Sequence, residues 1–88
     1  MAYKIRLEAK NEGLLYVDEN GTYRFDVSLR KNTWTVFLPG SFGDSYEQRA
    51  LTDLERERVL PRLITYLEKI KWLGLFVRSY SVKVVERT

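Results

Sequence analysis

In residues 51–74, LTDLERERVLPRLITYLEKIKWLG, apolar side chains recur every three or four residues. At about 100° per residue, this spacing gathers them into one arc of roughly 160° around the helix axis. The arc consists of Val59, Leu60, Leu63, Ile64, Tyr66, Leu67 and Ile70. A stripe of this width indicates a helix that lies flat on a β-sheet.

The two ends of this helix carry recognisable signals. Thr52 and Glu55 have the spacing of a capping box, and Gly74 can take the left-handed conformation that ends a helix. Pro61 conflicts with the pattern, because an interior proline removes one backbone hydrogen bond and costs about 3 kcal/mol. We therefore predict one kinked helix, with a break into two shorter helices as the alternative.

Four segments before the helix and one after it are predicted to be β-strands, most of them because apolar and polar residues alternate, and residues 14–17 because they form a short apolar run. They cover residues 3–8, 14–17, 23–30, 33–38 and 75–85. Asn20-Gly21 predicts a tight hairpin turn, and Pro39 is expected to stop the fourth strand. The sequence thus predicts a two-layer α+β sandwich in the order β-β-β-β-α-β, with a largely antiparallel sheet covered on one face by the helix.

Composition narrows the possible functions. The 88 residues are 44% hydrophobic and predict one domain over residues 1–88, with no segment apolar enough to cross a membrane or to serve as a signal peptide. Cysteine and histidine are both absent, which excludes thiolate nucleophiles, zinc fingers and histidine-activated serine. We expect a cytoplasmic protein that has no cofactor and no bound metal and is not an enzyme.

The residues between the fourth strand and the helix form a long predicted loop, which makes them candidates for function. Phe42 and Tyr46 lie in it, and each must either fold back onto the body or stand exposed for a partner. Gly40-Ser41-Phe42-Gly43 matches neither a nucleophile elbow nor a phosphate loop, so a polar turn explains it better.

Two local pairs of carboxylates could act as acid and base or hold a metal. They are Asp18 with Glu19 and Asp44 with Glu47. Neither pair has the spacing of a known motif. We expect Asp18 and Glu19 to lie at a solvated turn with near-normal pKa values.

The outward face of the helix is predicted to carry a positive ridge of Arg58, Arg62 and Lys69. Arg58 and Arg62 are like charges four residues apart, an arrangement that is unfavourable unless a neighbour such as Glu55 offsets it. Trp72 lies outside the apolar arc and is either a packed wedge or an exposed anchor.

The net charge of +3 lies entirely after residue 50, because residues 1–50 carry seven basic and seven acidic side chains. The basic residues near the C-terminus that could hold phosphates are Lys69, Lys71, Arg78, Lys83 and Arg87. The predicted open face of the sheet offers only Phe37 for base stacking, which makes it a poor platform for single-stranded nucleic acid.

These observations favour a small non-enzymatic module that binds a protein partner, or a second copy of itself as a dimer. The predicted contact residues are Phe42, Tyr46, Arg58, Arg62, Lys69 and Trp72. The alternative is nucleic-acid binding without sequence specificity by the basic C-terminal residues.

Overall fold

One α-helix and eight β-strands make up the part of the chain that the computed structural model describes. That part is residues 2–8, 12–72 and 76–87, of which residues 71, 72 and 76–78 are described by their backbone alone. The elements are β1 (Lys4–Leu7), β2 (Gly13–Asp18), β3 (Gly21–Arg30), β4 (Thr33–Phe42), β5 (Glu47–Gln48), α1 (Asp53–Glu68), β6 (Lys69–Trp72), β7 (Phe76–Ser79) and β8 (Ser81–Glu86).

The main sheet begins as an antiparallel meander of β1, β2, β3 and β4. The free side of β4 is shared by two further strands. β8 pairs with residues 33–38 in parallel orientation, and β5 pairs with residues 41–42 in antiparallel orientation. β6 and β7 form a separate hairpin. The predicted α+β class and the largely antiparallel sheet are confirmed.

The helix covers one face of the main sheet and closes the hydrophobic core. Val59, Leu63 and Leu67 are fully buried, and they meet a sheet surface that includes Phe25 and Trp34, also fully buried. Each buried side chain of this size contributes about 2 kcal/mol relative to its exposed state. No helix in the described residues is both long and apolar enough to cross a membrane.

The predicted start of the helix is confirmed, but its predicted end is wrong. The Thr52 hydroxyl accepts the Glu55 N–H at 3.2 Å, and the Glu55 carboxylate accepts the Thr52 N–H at 2.9 Å. The helix runs unbroken through Pro61 and ends at Glu68. Residues 69–72 instead form a strand that pairs with β7. A short alternating segment such as this one is compatible with a β-strand as well as with a last helical turn.

Pro39 does not stop the fourth strand, contrary to the sequence-based expectation. β4 continues to Phe42 through a cis Leu38–Pro39 bond, and its register against β3 shifts between Arg24 and Asp26. Proline is tolerated at such an irregularity because its missing N–H is not needed there. Most of the predicted loop is therefore ordered as the end of β4, a turn and β5.

Two further boundaries differ from the prediction. A tight hairpin does join β2 to β3, but its two loop residues are Glu19 and Asn20, and Gly21, with a φ of 136°, is already the first residue of β3. Two consecutive positive φ angles, 48° and 64°, occur instead at Lys31 and Asn32 in the β3–β4 turn. The predicted last strand is divided at Tyr80 into β7 and β8. The local sequence pattern locates these strands, but it does not determine the residue at which one strand ends and the next begins.

Candidate functional site

A buried carboxylate, Asp18, lies where the end of β2 meets the helix. Its side chain is fully shielded from solvent. It accepts hydrogen bonds from the Tyr16 hydroxyl at 2.7 Å, the Asn20 N–H at 2.8 Å and Arg58 Nε at 3.0 Å. Arg62 Nη1 lies 3.8 Å from the same carboxylate and donates to the Tyr16 hydroxyl at 2.6 Å. Asp18 thus offsets the repulsion between the two arginines.

A second buried carboxylate, Glu55, continues this arrangement at the start of the helix. Arg49 forms a two-pronged pair with it, at 2.7 and 2.8 Å, and the Tyr23 hydroxyl donates to it at 2.9 Å. Arg58 Nη2 donates to the same Tyr23 hydroxyl at 2.7 Å. We call the seven connected residues the helix–hairpin network: Tyr16, Asp18, Tyr23, Arg49, Glu55, Arg58 and Arg62.

The protonation equilibria of the network follow from these contacts. Arg49 holds the pKa of Glu55 well below its usual range, against the opposing effect of burial. Burial alone would raise the pKa of Asp18, but hydrogen bonds from Tyr16, Asn20 and Arg58 outweigh it and lower the pKa. Burial and the adjacent carboxylates raise the pKa values of Tyr16 and Tyr23. Both carboxylates are therefore charged at neutral pH, and both phenols are neutral.

This result corrects two sequence-based expectations. Asp18 is not a solvated turn residue, and its pKa is not near normal. The side chains of Arg58 and Arg62 do not form an outward ridge, because they are only 22% and 23% exposed and turn toward the sheet. Helical angles fix only the direction of Cβ, whereas an arginine side chain is long enough to reach around the flank of its helix.

The remaining predicted contact residues divide into three groups. Phe42 is buried at the end of β4, between the ring of Tyr23 and the guanidinium of Arg49. Tyr46 is 65% exposed in the β4–β5 turn, and Lys69 is exposed directly after the helix. The side chains of Trp72, Lys71 and Arg78 lie outside the described residues. Of these residues, the structure therefore places only Phe42, Tyr46 and Lys69, and it leaves Phe42 buried while the other two are exposed.

The sheet face opposite the helix has a different character, and the strand register defines it. Arg6 lies beside Leu15, Leu15 beside Arg24, and further across the sheet Asp26 lies beside Phe37 and Phe37 beside Val85. Side chains that are directly opposite on paired strands project to the same face. We call this surface the open face. Its charged residues in the described part of the chain are Lys4, Arg6, Glu8, Arg24, Asp26, Arg30, Lys83 and Arg87.

Positive charge dominates the open face. Among the described side chains it holds six basic but only two acidic ones, so its net charge exceeds the +3 of the whole chain. The two acids are already paired, Glu8 with Arg24 at 2.6 Å and Asp26 with Arg87 at 3.0 Å. In the described residues, Lys4, Arg6, Arg30 and Lys83 make no ion pair.

Apolar side chains lie between these charges. Val17 and Val85 are each 36% exposed, and Leu15 and Phe37 are half-buried. Lys4, Arg6, Leu15 and Val17 line a shallow notch of about 230 Å³. The guanidinium of Arg87 lies over the ring of Phe37, 5.0 Å from its centroid. Arginine and aromatic side chains such as Arg87 and Phe37 are enriched in protein interfaces.

Other concave features offer less chemistry. A notch of about 270 Å³ lies near Leu38, Pro39 and Leu51, and the ion pair of Arg56 with Glu86 lines it. Its volume is below the usual range of ligand pockets, roughly 300–1,000 Å³. Throughout the described ranges, no three acidic side chains form a group that could hold a metal ion.

Comparison of the chain with protein-family models, curated proteins and solved structures finds no match. The alternation in β1, β3 and β4 already indicated most of the open face, including Arg6, Arg24 and Phe37. It could not show that Lys83 and Arg87 join that face, because their placement depends on the parallel pairing of β8 with β4.

Proposed function

We propose that this protein is a non-enzymatic interaction module that binds an acidic protein partner on the open face of its sheet. The observation that carries this proposal is the charge asymmetry. Among the described side chains, six basic and two acidic ones share the open face, whereas the others number six basic and ten acidic. A surface of one sign attracts a partner of opposite sign and raises its rate of association.

The pairing pattern supports binding rather than catalysis. In the helix–hairpin network, each carboxylate is bonded to an arginine and a tyrosine hydroxyl, which leaves it poorly suited to accept a proton from a substrate. On the open face, by contrast, Lys4, Arg6 and Lys83 are exposed. These cations are available to a partner without the loss of any internal ion pair among the described residues.

The apolar patches favour a protein over a simple anion. Leu15 and Val17 lie between the cations of β1 and β3, and Phe37 and Val85 lie near Lys83 and Arg87. Burial of such patches supplies affinity, while the surrounding charges select the partner. Tyr46 and Lys69 remain candidate contacts beyond this face.

Nucleic acid is the second candidate partner. Two of the five predicted phosphate contacts, Lys83 and Arg87, share the open face, and the ring of Phe37 lies beneath Arg87. Cations of this kind can hold a phosphate backbone without reading sequence. However, one aromatic ring supplies little base stacking, so an acidic protein fits this face better.

Binding of labelled poly-glutamate, measured by fluorescence anisotropy at low and at physiological salt, tests the proposal. We expect binding that weakens with salt and falls about tenfold or more in the Arg6→Glu/Lys83→Glu variant. The matched control compares the single variant Lys83→Glu with Lys31→Glu, which makes the same charge change in the β3–β4 turn at a residue that is not a candidate contact.

Three outcomes distinguish the candidates. Loss of binding in Lys83→Glu but not in Lys31→Glu supports an acidic partner on the open face. Equal loss in these two variants, or no binding of poly-glutamate, contradicts it. Single- and double-stranded oligonucleotides are tested in parallel, and clearly tighter binding of an oligonucleotide than of poly-glutamate would favour the nucleic-acid alternative.

A further inference from the structure

The first strand, β1, ends the main sheet, and in the described part of the chain its outer edge has no backbone partner. The Glu8 N–H donates to the Gly13 carbonyl at 2.8 Å, which places Glu8 and Gly13 in a hydrogen-bonded pair. Because such pairs alternate along an antiparallel strand, Lys4 and Arg6 also bond toward β2. The N–H and C=O groups of Ile5 and Leu7 therefore point to the free edge.

The side chains along this edge differ between the two faces of the sheet. On the open face, Lys4 and Arg6 are exposed and border the apolar notch with Leu15 and Val17. On the helix-covered face, Ile5 and Leu7 are half-buried against the core. A strand added beside β1 would therefore bury these two side chains further. A strand added here would meet cations on one face and apolar side chains on the other.

A second copy of the chain is a poor occupant of this edge. Antiparallel pairing of two β1 strands would place Lys4 and Arg6 of one copy beside those of the other on the same face, and like charges opposite each other are destabilising. Charged residues on an edge strand protect a protein from such pairing. The same two cations favour a strand that carries acidic side chains at alternate positions.

We infer that the β1 edge binds an extended acidic segment of the partner, which adds to the sheet as a further strand. This inference rests on the proposed function and specifies its recognition mode. The backbone of Ile5 and Leu7 supplies hydrogen bonds, Lys4 and Arg6 contact the acidic side chains, and apolar residues between them cover Ile5 and Leu7.

The test uses an acetylated and amidated heptapeptide with the sequence Glu-Val-Glu-Val-Glu-Val-Glu. We expect it to bind at least about tenfold more tightly than a peptide of the same composition in which the valines are adjacent, because only alternation puts all glutamates on one face. Arg6→Glu should abolish this preference. Lys83→Glu, on the same face but on β8, should weaken both peptides equally.

Methylation of the peptide backbone tests strand addition directly. Residues directly opposite Ile5 and Leu7 in an antiparallel pair are the valines, and their N–H groups bond to β1. N-methylation of the valines should abolish binding, whereas N-methylation of the glutamates should leave it unchanged. If only N-methylation of the glutamates abolishes binding, the added strand is parallel to β1, and this result also supports the inference.

The opposite results are equally clear. Equal effects of the two methylation patterns, or equal affinity for the alternating and the block peptide, would overturn strand addition at β1. Poly-glutamate binding that still depends on Arg6 and Lys83 would then show that the proposed function holds without this recognition mode. Ile5→Pro removes one outward N–H while retaining the bonds to β2, so it should weaken binding of the alternating peptide. Unchanged binding in this variant would contradict strand addition at β1.

Discussion

The two faces of the sheet use arginine in opposite ways. Beneath the helix, Arg58 bonds to a buried carboxylate and a tyrosine hydroxyl and is 22% exposed. On the open face, Arg6 is exposed and makes no ion pair with any described residue. Buried charges stabilise a fold only when they are paired, whereas exposed unpaired charges are available for recognition. Arg24 and Arg87 on the open face are also paired. The difference therefore teaches that the unpaired cations, rather than residue type or charge count, mark the proposed binding surface.

Removal of the buried charge at Asp18 should give the largest loss of stability. Asp18→Asn leaves Arg58 and Arg62 close together without their shared anion, so we expect a loss of about 3 kcal/mol in the free energy of unfolding, measured with urea. The control, Asp44→Asn, changes an exposed turn residue and should have little effect. Equal effects at the two positions would show that the burial and pairing of Asp18 do not determine the loss.

Acid should destabilise the protein through the same network. Glu55 and Asp18 have folded-state pKa values below the ordinary values of 4.5 and 3.8, so folding favours their charged forms. The stabilisation is present above these ordinary values and is lost as the pH falls from about 4.5 toward the lowered values.

The Glu55→Gln variant checks the contribution of one carboxylate to that pH dependence. At neutral pH it should cost about 2 kcal/mol, because Tyr23 and Arg49 lose a charged acceptor. Its urea stability should fall less steeply below pH 4.5 than that of the original protein. An unchanged slope would mean that other carboxylates cause the acid sensitivity.

Much of the fold was predictable from the sequence, because local pattern determines most of its elements. The Thr52–Glu55 capping box and the alternation in β3 are short-range signals, and both are confirmed. The end of the helix was not predictable, because residues 69–72 can satisfy either a helix or a hairpin and their pairing with β7 decides.

The network was harder to predict than the fold. Asp18 and Arg58 are 40 residues apart, and no spacing rule joins a hairpin end to a helix flank. One signal was present in the sequence: two arginines four residues apart require an anion nearby. The structure shows that Asp18 is this anion, whereas the predicted local candidate, Glu55, pairs with Arg49 and is connected to Arg58 only through the Tyr23 hydroxyl.

Two matched glycine substitutions should sharpen the contrast between the faces further. A Cβ at Gly40 would lie 2.6 Å from the Phe25 ring and 2.7 Å from the Arg24 carbonyl oxygen, so we expect Gly40→Ala to cost about 2 kcal/mol. A Cβ at Gly13 would meet mainly the end of the Glu8 side chain, which can move. Gly13→Ala should therefore cost less than about 1 kcal/mol by urea unfolding. An equally large loss would show that the Glu8–Arg24 pair is rigid.

The smallest expected change in stability concerns the cations of the open face. Arg6→Gln and Lys83→Gln should each alter the free energy of unfolding by less than about 0.5 kcal/mol, because neither side chain has an acidic partner among the described residues. Arg58→Gln should cost about 2 kcal/mol in the same urea titration, because Asp18 and the Tyr23 hydroxyl lose a donor. If Arg6→Gln were as destabilising as Arg58→Gln, Arg6 would be paired within the fold, and the open face would no longer be distinguished by free positive charge.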